Sequence, residues 1–157
     1  MYQMKYESPI GTLYLVSDGQ YLCNLYFSNK ALDISNNDSL EVFNKTIDWL
    51  NRYFEGKQPR ISELPLKLEG TIFQKQVWNA LLEIPYGTVV TYGDIARRMN
   101  TKAYQAVGQA IGKNPIGIIV PCHRVVGNNK KLTGFSGGMD IKKYLLAHEG
   151  IDVSVYK

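Results

Sequence analysis

The chain has 157 residues, 45% apolar and 20% charged, with a formal net charge of +4. Such a chain buries one or two hydrophobic cores, which excludes a disordered tail, and no apolar run approaches the roughly 20 residues of a membrane span. Two cysteines cannot build a disulfide scaffold, two histidines leave little for a zinc site, and Met1–Met4 opens no signal peptide, so a small cytoplasmic protein is expected.

Residues 1–30 read as short strands. Thr12–Ser17 and Tyr21–Phe27 are rich in β-branched, aromatic and other apolar residues, and Asp18-Gly19 between them makes a hairpin turn. From Ser39 to Phe54 the residues Leu40, Phe43, Ile47, Leu50 and Phe54 recur at spacings of three and four, which predicts an amphipathic helix that Gly56 stops. Ile61–Leu68 reads as another strand, confined by Pro65 to an edge or an irregular piece. An α/β domain over residues 1–68 follows.

The second half changes character. Residues 1–68 carry seven Lys/Arg against eight Asp/Glu, whereas residues 69–157 carry eleven against six. The basic half either meets an anionic partner or simply displays solvated lysines. Thr71 and Gln74 form a capping box ahead of Phe73, Val77 and Leu81, a helical stripe ending at Pro85-Tyr86-Gly87. Thr91 caps a short helix with Ile95 and Met99. Thr101 caps another, in which Ala103, Ala106, Val107, Ala110 and Ile111 share one face. Two short helices joined near Met99–Thr101 read as helix-turn-helix. Gly108 and Gly112 allow close approach, either to a nucleic-acid groove or to a neighbouring helix. Ile141, Tyr144, Leu145 and His148 mark a last helix stopped by Gly150.

The chemistry concentrates in Asn114–Gly127, where Pro121-Cys122-His123 lies between apolar runs. A thiolate, not a thiol, is the nucleophile, and only a few per cent of an unperturbed thiol of pKa about 8.5 ionises near neutrality. His123 is the neighbouring base. In an extended segment the two side chains would face opposite ways, so a bridging water or a turn at Pro121 is needed. Glu149 in the last helix could orient the imidazole. Cys23 and His148 read as structural residues, and Lys130-Lys131 as a loop charge pair.

Pro121–Val126 strongly resembles the active-site motif of the O6-alkylguanine-DNA alkyltransferases, the methylated-DNA–protein-cysteine methyltransferases. The likeness extends to Asn114-Pro115, Phe73…Val77-Trp78, Ile84–Gly87, Thr91-Tyr92-Gly93, Leu132–Gly138 and Leu145–Gly150. It covers residues 70–150 almost throughout, and Ser8–Leu13 is similar to the family's N-terminal strand opening. The resemblance implies an α+β fold: an N-terminal α/β, RNase H-like domain over 1–68 and a C-terminal helical, winged helix-turn-helix domain over 69–157.

It also implies an activity, removal of alkyl groups from guanine O6, and less readily thymine O4, in duplex DNA. Cys122 would accept the alkyl group. His123 would take its proton through a water, Glu149 would orient His123, and Asn114 would brace the loop. Tyr92 would promote base rotation and donate to the leaving guanine. The main chain at Val125 and Ser136 would read the flipped base, and Phe135 and Gly137 would line the alkyl pocket. DNA contacts would fall on Thr101, Lys102, Gln105, Ala106 and Arg124. Neither metal nor organic cofactor is implied, and the protein would act as a monomer.

One departure stands out. The family's recognition helix normally carries an arginine that fills the space left by the flipped base; the matching position here is Gln105. The segment from Tyr92 to Gln105 is also one residue short. Two other readings compete with repair. An alkyltransferase-like lesion-binding protein fits Gln105 but not the presence of Cys122. A thiol hydrolase fits Cys122, His123 and Glu149 but lacks the glycine pattern of a nucleophile elbow.

Overall fold

The structure, a computed structural model, describes residues 1–28, 35–36 and 39–157. The chain divides into two compact units, Met1–Glu69 and Gly70–Lys157.

In the first unit, β1 (Tyr2–Ser8) and β2 (Gly11–Ser17) form an antiparallel hairpin whose tight turn places Gly11 at φ +109°, a conformation open to glycine. The Asp18 carboxylate accepts from the N–H groups of Gln20 and Tyr21 at 2.9 and 2.8 Å, which bends the chain into β3 (Leu22–Tyr26). β3 pairs antiparallel with β2, and β4 (Ser35–Asn36) pairs parallel with β1, giving the order β3-β2-β1-β4. Residues 29 and 30 of the strand reading lie outside the described residues.

Helix α1 (Glu41–Phe54) packs on β1, β2 and β3. Its buried face is Val42, Phe43, Thr46, Trp49, Leu50 and Tyr53, whereas Ile47 and Phe54 sit half-buried at its edge. Thr46 fits that face because its hydroxyl donates to the Val42 carbonyl at 2.7 Å. Ile61–Leu68 is not a strand. It forms a helical turn at Ile61–Glu63 and then a single parallel bridge between Leu22 and Leu66. Pro65 has no N–H to pair, so it contributes only its carbonyl, which accepts from Leu22 N–H at 2.8 Å.

The second unit is mainly helical. α2 (Ile72–Leu82) opens on the Thr71–Gln74 capping box, and α3 (Tyr92–Arg98) on a second one between Thr91 and Asp94. α4 (Tyr104–Gly112) buries Val107, Ala110 and Ile111 and is fastened to α2 by the Trp78 indole, which donates to the Ala110 carbonyl at 2.8 Å. Of the small residues of α4 only Ala110 packs inside; Gly108 faces the Tyr92 ring, and Ala106 and Gly112 are exposed. Thr101 does not cap α4: Ala103 occupies that position, and the Thr101 hydroxyl accepts from Ala103 N–H at 3.1 Å within the preceding turn. β5 (Val90–Thr91) runs parallel to β6 (Val125–Val126), and α5 (Met139–His148) ends the unit. The inward face of α5 is Lys142, Leu145 and Leu146; Tyr144 lies outside, stacked on the His148 ring. No helix of the described residues is long and apolar enough to cross a membrane.

Candidate active site

The segment before Cys122 is apolar and irregular, and Asn114 holds it in shape. The Asn114 side-chain amide donates to the Val120 carbonyl at 2.7 Å, and its oxygen accepts from Ile116 N–H at 3.0 Å, closing the loop on itself. Within this loop Ile118 takes φ +70°, a conformation unfavourable for a β-branched residue and held by the surrounding burial. Pro121 then leads into a tight helical turn at Cys122–Arg124. Successive side chains in such a turn diverge by about 120° rather than the 180° of a strand, so Cys122 and His123 are not forced to opposite faces.

Glu149, at the C-terminal end of α5, organises the buried centre. Its Oε2 lies 2.6 Å from His123 Nε2. The Arg124 guanidinium grips the same carboxylate, with Nε donating to Oε1 at 2.7 Å and Nη2 to Oε2 at 3.1 Å. Gly87 N–H adds a bond to Oε1 at 3.0 Å, and a Cβ at Gly87 would lie 3.1 Å from the Glu149 carbonyl, so this approach requires glycine at φ +73°. Burial alone would raise the Glu149 carboxyl, but the hydrogen bonds and charges of His123 and Arg124 outweigh it and hold the carboxylate far below its ordinary range.

An ionised carboxylate only accepts, so His123 Nε2 carries the ring hydrogen. His123 Nδ1 is then the basic lone pair, and it is buried with no hydrogen-bond partner. Burial, aided by the charges of Arg124 and Lys142, pushes the imidazole below its ordinary 6.5 despite Glu149. Burial likewise pushes the Cys122 thiol up, against smaller opposing effects of the Asn114 amide and the Lys142 charge. The resting site therefore holds a neutral thiol next to a neutral imidazole whose free nitrogen can receive a proton.

A second cluster lies behind β6. Lys142 is only 1% exposed; its ammonium donates to Val125 O at 2.8 Å, to Thr133 O at 3.2 Å and to Thr133 Oγ1 at 3.4 Å. Thr133 Oγ1 is 2.6 Å from Tyr92 Oη. Burial brings the Lys142 pKa down to about 8, partly opposed by Cys122. Tyr92 reaches this place because it directly follows β5, whose pairing with β6 sets Thr91 beside Val126. The Val125 N–H donates to Cys122 O, and its carbonyl keeps a second lone pair beyond the bond from Lys142. Phe135 and Gly137 are half-buried and Ser136 exposed in the turn before α5, where Gly138 N–H donates to Phe135 O at 2.9 Å.

Sequence comparison decides the family. A profile of the 6-O-methylguanine DNA methyltransferase DNA binding domain matches residues 72–151, and one of its ribonuclease-like domain matches residues 1–68. The chain belongs to the 6-O-methylguanine DNA methyltransferase family. It is 44% identical over 156 residues to a methylated-DNA–protein-cysteine methyltransferase of Haemophilus influenzae, covering 96% of this chain and 87% of that one. To that of Methanosarcina acetivorans it is 46% identical over 155 residues, covering 96% and 99%. Among solved structures it resembles Mycobacterium tuberculosis OGT in complex with DNA, at 41% identity and a TM-score of 0.88, covering 99% of this chain and 95% of that one.

Within this methyltransferase family member, the residues expected at DNA lie apart from the buried centre. Lys102, Gln105 and Ala106 are exposed at the start of α4 and its preceding turn, with Thr101 half-buried. A groove of about 500 Å³ runs there, lined by Lys102–Ala106 and Gln109. Arg124 is a correction. Expected at DNA, it is 6% exposed and spent on Glu149, on the Ile84 carbonyl at 2.7 Å and on the Tyr86 ring at 5.7 Å. A guanidinium so committed cannot also reach a phosphate.

Sequence reasoning missed Lys142 and Thr133. A lysine in a helix reads as solvated, and its only signal was a place one residue from Ile141 and three before Leu145 on the apolar stripe. Tyr104, a large exposed aromatic beside Gln105 on α4, was also passed over. Among the described residues no group of three or more His, Cys, Asp or Glu could hold a metal ion.

Proposed function

We propose that Cys122 takes the alkyl group from O6-alkylguanine, and less readily O4-alkylthymine, in duplex DNA, in one irreversible event per molecule. The protein is a methylated-DNA–protein-cysteine methyltransferase and repairs DNA by direct reversal. The observation that carries the assignment of residues is His123: carboxylate-bound at Nε2, unpartnered at Nδ1, and adjacent to the buried Cys122.

The alkyl carbon is hidden in the base stack, so the nucleotide must swing out, at a few kcal/mol. Lys102, Thr101, Gln105 and Ala106 meet the duplex and offset that cost. Val125 and Ser136 main-chain groups read the extruded base, and Phe135 and Gly137 line the alkyl group. The Cys122 proton passes through a water to His123 Nδ1, with Glu149 stabilising the imidazolium that forms. Sulfur then attacks the alkyl carbon in line. The S–C bond forms as the C–O6 bond breaks, the electron pair moves onto the guanine, and Tyr92 donates the hydrogen bond or proton that the departing base needs. Sulfur supplies the electrons, so the displacement needs no cofactor. The thioether is not displaced by water, which ends the reaction after one turnover. The protein works as a monomer in the cytoplasm.

The test is a duplex carrying one radiolabelled O6-methylguanine. Label moving to protein to a one-to-one limit, with the added methyl mass on the peptide containing Cys122, is the expected result. Tight binding without transfer would leave a lesion-binding protein instead. A Cys122→Ser variant that still accepted label would overturn the nucleophile.

A further inference from the structure

We infer that Thr133 is a positioning residue whose hydroxyl, braced by Lys142, turns the hydroxyl hydrogen of Tyr92 toward the extruded base. The inference rests on the reading of Tyr92 as donor to the leaving guanine.

Hydrogen-bond polarity carries it. An ammonium only donates, so Thr133 Oγ1 receives the hydrogen from Lys142 Nζ. The Thr133 hydroxyl has a single hydrogen of its own, and the other group bonded to Oγ1 is Tyr92 Oη at 2.6 Å. Either direction leaves one hydroxyl hydrogen over. With Thr133 as donor, the bonds run one way, Lys142 to Thr133 to Tyr92, and the tyrosine hydrogen is the one left to point elsewhere; with Tyr92 as donor, its hydrogen is consumed by Thr133 and the Thr133 hydrogen is left instead. The lysine charge favours the first arrangement, since it draws the oxygen of Thr133 toward itself and repels the hydrogen.

The placement is firm. Lys142 also holds the Val125 and Thr133 carbonyls, so one ammonium ties the strand following the Cys122 turn to the segment bearing Thr133. The bridge between Gly127 and Lys131 closes the loop between them. At neutral pH the lysine is still a cation, since its pKa remains about 8. When the C–O6 bond breaks, a Tyr92 hydrogen already aimed at the base needs no prior bond to be broken. Thr133 thus acts on the reaction through Tyr92 rather than by touching substrate.

The experiment is single-turnover methyl transfer from the labelled duplex, measured across DNA concentration for the unsubstituted protein, T133V, T133S, Y92F and the double variant T133V/Y92F. Valine keeps the shape and removes the hydroxyl. T133V should lower the saturating rate about tenfold, the size of one lost hydrogen bond, while leaving the half-saturating DNA concentration within about twofold. T133S should return the rate to within about threefold of the original. Adding T133V to Y92F should change the rate by less than about twofold, because the hydrogen being positioned is already gone. The inference is overturned if T133V keeps the full rate, if T133S is as slow as T133V, or if the two substitutions multiply. Failure of the underlying reading looks different: Y92F as fast as the unsubstituted protein removes Tyr92 as donor, and no label on Cys122 in any protein removes the transfer itself.

Discussion

Glu149 is the residue on which the site turns. It faces an imidazole and a guanidinium, both buried, so replacing its charge strands Arg124 without a counter-ion. Glu149→Gln should cost about 3–5 kcal/mol of stability in urea unfolding, and slow methyl transfer as His123 loses its orienting partner. The same residues predict the response to pH. The folded state holds His123 below its ordinary 6.5 and Glu149 far below its ordinary 4.5, so in both windows the unfolded chain binds the proton more readily. The contribution of these two groups to stability is therefore full above about pH 6.5, falls as His123 would protonate, and falls further below about pH 4.5. Urea midpoints declining steadily from pH 7 to pH 4 would bear this out; a flat profile would contradict the neutral imidazole.

Among the elements, local signals were the legible ones. The capping boxes at Thr71–Gln74 and Thr91–Asp94 are contained in four residues each, and both form. Thr91→Ala should lower stability by about 1 kcal/mol. Because Thr91 also sets the start of α3, and Tyr92 follows it, this variant should slow transfer more than it weakens folding. Long-range fastening was not legible. Nothing near Trp78 in sequence reveals that its indole reaches the Ala110 carbonyl on α4. Trp78→Phe should cost about 1–2 kcal/mol through that bond and the lost packing, read as a lower urea midpoint. The inner faces of α1 and α5 were half-legible for a related reason. Periodicity locates a helix, but it does not show which polar residues turn inward: Thr46 does so on the Val42 carbonyl one turn back in its own helix, and Lys142 on the Val125 carbonyl of another element.

At the scale of the whole molecule, the basic balance of residues 69–157 overstates the field offered to DNA. Arg124 and Lys142 are buried in the site, while Arg97 and Arg98 are paired with Asp94 and Glu83. The exposed start of α4 holds Lys102 beside an uncharged Gln105. Gln105→Arg should therefore raise the second-order repair rate on duplex DNA and steepen its salt dependence by about one in logarithmic slope, with the rate on free O6-benzylguanine unchanged. An equal or lower duplex rate would count against a shortage of charge at that position.

The order of residues was by itself enough to determine the family, the starts of α2 and α3, the turn at Asp18-Gly19 and the pairing of Cys122 with His123 in one motif. Each of these is written within a few consecutive positions, where backbone geometry and local hydrogen bonds decide. Only the tertiary structure decided that Arg124 supports Glu149 rather than DNA, that Lys142 is buried, and that Thr133 stands between it and Tyr92. Those outcomes depend on groups from separate elements meeting out of water. A charge takes the partner burial leaves it, and no run of neighbouring residues specifies which one that is.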